Sequence, residues 1–105
     1  MSKHAEVTHN DKRYIELGYN ISYYRKHKGY TQEQLAEKLD ISRQHLGAVE
    51  APNIVRSISL DLLFNIADAL EIDVRELLDF HGNAKKKIWR KSHQGNLRHI
   101  FFLSL

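Results

Sequence analysis

Thr31-Gln32-Glu33-Gln34-Leu35-Ala36-Glu37-Lys38-Leu39-Asp40-Ile41-Ser42-Arg43-Gln44-His45-Leu46-Gly47-Ala48-Val49-Glu50 contains two helix starts separated by a single short turn. Thr31 is a good N-cap, and Gln34, three positions on, can return a bond to the cap's own N–H, so a helix is expected from Gln32. Ser42 offers a second cap soon after Leu39. Between them Asp40 tolerates the left-handed backbone that a sharp helix-to-helix turn requires, and Ile41 then points inward. Gly29 is placed to end a preceding helix at positive φ, with Tyr30 tucked beneath that end.

Apolar spacing gives each of these helices one buried stripe: Leu35, Ala36 and Leu39 on the first, Leu46 and Val49 on the second. The opposite face of the second helix carries Arg43, Gln44, Gly47 and Ala48. Two of those four have almost no side chain, which leaves that face slim enough to enter a groove. Arg and Gln are the side chains whose forks match guanine O6/N7 and adenine N6/N7, at about 1–3 kcal/mol of discrimination each.

Three further helices are expected around the pair. Residues from about Lys12 to Lys28 place Leu17, Ile21 and Tyr24 on one stripe, with Gly18 where close packing is wanted. Tyr23, next to Tyr24, should then be the more exposed of the two. Ser59 caps a fourth helix whose core face reads Leu60, Leu63, Ile66, Ala67 and Leu70. Asp73 and Glu76 form a second capping box, opening a last helix through Val74, Leu77, Leu78 and Phe80. The fold class is therefore all-α.

The block from Leu17 to Phe80 resembles the lambda-repressor/Cro-like helix-turn-helix family, also called the xenobiotic-response-element family. The matching elements are Leu17-Gly18 with Ile21, Tyr24 and Arg25, then Thr31-Gln32, Leu35-Ala36, Ile41-Ser42, Leu46, Val49-Glu50, and the run Leu63, Ile66-Ala67, Leu70. The resemblance implies a compact five-helix DNA-binding domain in which Arg43, Gln44 and Ala48 touch bases, with His45 and Gly47 alongside. It also implies that Gln32 meets a phosphate through its backbone N–H at a helix N-terminus, and that Arg25 pairs structurally with Glu50. Thr31, Ser42, Lys28, Asn53 and Arg56 complete the expected phosphate contacts. Relatives follow the glutamate with a Gly-containing loop, whereas this chain has Ala51-Pro52-Asn53 in a longer one, and Pro52 has no N–H to donate.

Charge is divided along the chain. Residues 1–80 hold 10 Lys and Arg against 13 Asp and Glu, while residues 81–105 hold 6 Lys and Arg and no acid. DNA binding by the folded block thus requires a local basic edge, expected from Arg25, Lys26, Lys28, Lys38, Arg43 and Arg56. The acids Asp61, Asp68, Glu71, Asp73, Glu76 and Asp79 should then face away.

Domain organisation follows: a lead at 1–11, the helix-turn-helix domain at 12–80, and a basic tail at 81–105. Lys85-Lys86-Lys87-Ile88-Trp89-Arg90-Lys91 reads as an arm adding phosphate affinity or as a solvated terminus, with Trp89 stacking on a base or packing back on the domain. The apolar end from Ile100 is too short to cross a bilayer and reads as a short strand, an anchor against a partner subunit, or disorder. Zero cysteines exclude disulfides and thiolate metal sites. The seven histidines form no i, i+4 pair, so no metal is expected, and neither is a cofactor.

No nucleophile–base pair or phosphate-cradling glycine loop occurs at a usable spacing, so an enzyme is not expected. Together the residues point to a cytoplasmic transcriptional repressor. It would bind double-stranded DNA as a homodimer on a near-palindromic operator, without a membrane partner. The alternative is an antitoxin or adaptor that grips a partner protein through its C-terminal tail.

Overall fold

A computed structural model describes residues 9–53 and 57–80. It contains five helices: α1 (His9–Lys28), α2 (Gln32–Leu39), α3 (Arg43–Glu50), α4 (Leu60–Leu70) and α5 (Val74–Leu77). No strand occurs among the described residues. Helix α1 begins three residues earlier than its apolar pattern suggests, with Asp11 in its first turn, where the helix dipole favours a negative charge.

The ends of α2, α3 and α4 are set by side chains that satisfy orphan amides. Thr31 and Gln34 form the reciprocal box, at 3.0 Å from the Gln34 amide to Thr31 Oγ1 and 2.9 Å from the Thr31 amide to Gln34 Oε1. The Ser42 hydroxyl accepts from the His45 amide, and the Ser59 hydroxyl from the Leu62 amide. Asp73 caps α5 differently from the sequence reading. Its carboxylate accepts from the Arg75 amide, and Glu76 does not close a box because its Oε1 accepts the Tyr24 hydroxyl at 2.9 Å instead.

Three helices end in the same left-handed motif. The amides of Gly29 and Tyr30 bond back to Lys26 and Arg25, those of Asp40 and Ile41 to Glu37 and Ala36, and those of Glu71 and Ile72 to Asp68 and Ala67. Gly29 sits at φ 87°, Asp40 at 58° and Glu71 at 59°. Glycine meets that geometry without steric cost; aspartate tolerates it, and glutamate tolerates it least.

The core gathers Ile21, Leu35, Leu46, Ile66, Leu70 and Leu77, all essentially without solvent contact. Each such side chain contributes about 1.5–3 kcal/mol on transfer from water. Helix α3 rests on α1 and α2, and α4 closes the other side against α2, α1 and α5. Two expectations about the core are corrected. Leu60 is 66% exposed, because it stands in the first turn at the rim of the stripe completed by Leu63, Ile66, Ala67 and Leu70. Tyr23 is the buried tyrosine at 5%, while Tyr24 is only partly buried and turns its hydroxyl outward to Glu76.

Leu78 lies beyond α5 and is 46% exposed, so the last helix stops short of it. A helix of four residues is not stable alone. It is held by Leu77 in the core and by Asn20, whose fully buried amide donates to the carbonyls of Leu77 at 2.8 Å and Asp79 at 3.2 Å.

At Gly18 the backbones of α1 and α3 nearly touch: a Cβ built there would lie 2.2 Å from the Val49 carbonyl oxygen. Gly18→Ala should therefore cost about 1–3 kcal/mol, read as a lowered Tm. Glu71→Gly should raise Tm, since relief of the left-handed backbone outweighs the loss of an exposed ion pair with Lys28. A lower Tm for Glu71→Gly would show that the pair matters more than the backbone.

Candidate nucleic-acid interface

Helix α3 is mounted by one buried carboxylate. Arg25 Nε donates to Glu50 Oε2 at 2.8 Å and Arg25 Nη2 to Glu50 Oε1 at 3.0 Å, a two-pronged pair between the end of α1 and the end of α3. The third guanidinium nitrogen, Nη1, donates to the Tyr30 carbonyl at 2.8 Å. Glu50 Oε1 also accepts Gln32 Nε2 at 2.9 Å. A buried charge is tolerable when its partner is opposite and its lone pairs are filled, and both conditions hold here. The arrangement fixes the end of α1, the turn at Tyr30, the start of α2 and the end of α3 relative to one another.

With its inner face held by Leu46, Val49 and Glu50, α3 presents Arg43, Gln44 and His45 to solvent in its first turn. Gly47 and Ala48 follow, half-buried, on the outer side. The space in front of Gly47 is open; a Cβ there would meet only Gln32 Oε1, at 3.8 Å. A slim helix with forked, uncommitted polar tips at its N-terminal end is what a major groove about 12 Å wide can admit.

The surrounding polar groups divide into three sets. Thr31 and Ser42 are exposed at the starts of α2 and α3, and Gln32, as the first residue of α2, has an amide that its own helix cannot satisfy. Asn53 is exposed in the turn after α3, whereas Arg56 lies outside the described residues. Lys28 is paired with Glu71. Its neighbour's carboxylate holds the Lys28 ammonium above its ordinary pKa, and the ammonium in turn holds Glu71 below the usual glutamate range.

The charge partition expected from the sequence is only partly realised. Glu71 and Glu76, placed on the far side by that reading, are tied to α1 through Lys28 and the Tyr24 hydroxyl. Lys38 lies 5.3 Å from the Tyr30 ring centroid. Glu33 and Glu37 line a shallow groove with Arg43 and Ile41, so acids also flank the α3 start. Burial together with the Glu76 carboxylate pushes the Tyr24 phenol above its usual pKa.

Two participants had little or no sequence signal. Gln32 reaches Glu50 with its side chain, a contact visible only once α2 and α3 are packed. Asn20 falls on the buried side of α1 among apolar residues, and its role in holding α5 requires knowing where the chain returns. No group of three or more metal-ligating side chains occurs among the described residues, and none of the described helices is long and apolar enough to cross a membrane. The tail readings, including the arm at residues 85–91 and the apolar end, lie outside the described residues.

Comparison with known proteins bears on this geometry. Over 63 residues the chain is 35% identical to the HTH-type transcriptional regulator SinR of Bacillus subtilis, covering 60% of this chain and 56% of that protein. It thus spans little more than half the length of that relative. Among solved structures it is similar to the restriction-modification controller protein C.AhdI from Aeromonas hydrophila, with TM-score 0.55 and 35% identity over 60% of this chain and 92% of that one. A hypothetical transcription factor, NHTF, from Neisseria matches with TM-score 0.59 and 31% identity, covering 70% of this chain and 81% of that chain. The helix-turn-helix family profile matches residues 21–77, the segment from the middle of α1 to the end of α5, and the chain belongs to that helix-turn-helix family, of the lambda-repressor/Cro type.

Proposed function

We propose that this chain is a sequence-specific double-stranded DNA-binding transcriptional regulator that places α3 in the major groove. The observation that carries the reading is the outer face of α3, where Arg43 and Gln44 are exposed and Gly47 and Ala48 add no bulk. Its relatives support it, since one is named a transcriptional regulator and another a restriction-modification controller. Arg43 and Gln44 are the base readers, with His45, Gly47 and Ala48 beside them. Thr31, Gln32, Ser42 and Asn53 meet phosphates, Arg56 adds charge, and Lys28 joins them by exchanging Glu71 for the DNA backbone.

In this reading the unit at 12–80 does the binding, the protein is cytoplasmic, and a homodimer sets two copies of α3 about 34–36 Å apart on a near-palindromic operator. Occupation of promoter DNA then represses transcription. Selection of bound sequences from a random duplex pool tests binding, base preference and half-site spacing together. Recovery of no preferred sequence would overturn the reading.

On the selected site, Arg43→Ala or Gln44→Ala should cost about 1–3 kcal/mol, with little change on random DNA. Equal losses on both DNAs would assign these residues to phosphates instead. Arg25→Ala should behave differently, lowering folding stability by about 3–5 kcal/mol because it strands the buried Glu50 carboxylate. Thermal melting separates that loss from a loss of contact with DNA.

A further inference from the structure

The side-chain amide of Gln32, at the start of α2, has its orientation fixed by its partner. Its Nε2 donates to Glu50 Oε1 at 2.9 Å, and that carboxylate, which already takes Arg25 N–H groups on both oxygens, offers only acceptors. Turning the amide over would set Oε1 against a carboxylate oxygen. The nitrogen therefore points inward and the oxygen away from the Arg25–Glu50 pair. That oxygen ends beside the outer side of α3: it is the atom a Cβ on Gly47 would meet, at 3.8 Å. Among the described residues no donor reaches it. Gln32 is only partly buried, and Oε1 is not sealed in the interior, since the buried side-chain polar atom left without a partner is Asn20 Oδ1. Gly47 puts no side chain between this oxygen and whatever α3 faces.

An amide oxygen accepts and cannot donate, which decides what it can bind. Phosphate oxygens are themselves acceptors and are excluded. On the major-groove edges of the bases the donors are adenine N6 and cytosine N4, whereas guanine O6 and N7 and thymine O4 are acceptors. Held in one orientation by its own nitrogen, Oε1 distinguishes amino from keto bases on the strand it faces. Against a keto base it would leave two acceptors opposed and unpaired.

We propose that Gln32 is a further specificity-determining residue, reading from α2 what α3 does not: its Oε1 accepts a hydrogen bond from the exocyclic amino group of an adenine or cytosine, past Gly47, while Nε2 stays on Glu50. The proposal rests on the reading of α3 as a helix that enters the major groove. One amide is then both strut and reader, and the ion pair that seats α3 also aims it.

The test uses the full chain on the duplex recovered by site selection. Each adenine of that duplex is replaced in turn by purine and each cytosine by 2-pyrimidinone, which removes the amino groups singly. Affinities of the unaltered chain and of Gln32→Ala, Arg43→Ala and Gln44→Ala are measured against every replacement, so that effects on base pairing cancel. One replacement should weaken binding by the unaltered chain about 2- to 10-fold, the size of a neutral hydrogen bond. It should have no effect on Gln32→Ala and keep its effect on Arg43→Ala and Gln44→Ala. Selection repeated with Gln32→Ala should lose the amino-over-keto preference at that position alone. Should Gln32→Ala melt early, Gln32→Met keeps the length of the stem and takes its place. Penalties that all persist in the Gln32 variants overturn the proposal and leave the side chain a strut. Penalties that vanish together at several positions overturn it too, because α3 has then shifted as a whole. So does a penalty abolished equally by Gln32→Ala and by Arg43→Ala or Gln44→Ala, which makes Gln32 a positioning residue. These three results leave the groove-reading role of α3 standing, whereas a selection that recovers no preferred sequence removes that role and this one with it.

Discussion

The carboxylate of Glu50 is the point on which the geometry of the outer surface depends. It accepts three hydrogen bonds, two from Arg25 and one from Gln32, and through Arg25 it reaches the Tyr30 carbonyl. Hydrophobic burial of Leu35, Leu46 and Ile66 stabilises the assembly, but it is non-directional and permits small slides and rotations. The charged network adds direction, because a planar guanidinium facing a carboxylate fits in one orientation. Whatever α3 touches, it touches from a fixed seat.

The arrangement also explains how little machinery the outer face needs. Arg43 and Gln44 occupy the first turn of α3, where the chain has just left the Ser42 cap and the side chains fan away from the body. Gly47 and Ala48 keep the next turn low. Glu33 and Glu37 line the same shallow groove as Arg43, so the start of α3 is not uniformly cationic.

Much of this fold was legible because it is written in local chemistry. Thr31, Ser42 and Ser59 announce helix starts, Gly29 and Asp40 announce left-handed ends, and periodic leucines and isoleucines mark the inner faces. The departures share a cause, since each depends on a distant neighbour. Leu60 follows the apolar period but finds no facing element among the described residues. Tyr23 is the more deeply buried of the pair, while Tyr24 packs on the core from its edge and gives its hydroxyl to Glu76, more than fifty residues away; that same bond removes Glu76 from the expected cap. Glu71 in a left-handed turn had no signal at all, glutamate being a poor choice there. The outer face of α3 was visible as an odd mixture of forked and minimal side chains, whereas Gln32 as a strut and Asn20 as a clasp emerge only from packing.

The near-contact between Gly18 and the Val49 carbonyl bears on how such a protein can change over time. Where two backbones abut without side chains between them, neither rod can be re-aimed by swapping residues at the joint. In the role proposed for α3, altered preference for a nucleotide sequence must come from re-lettering the exterior of the second rod while its axis stays put. The joint thus separates two kinds of substitution, those that alter what is read and those that abolish the reader.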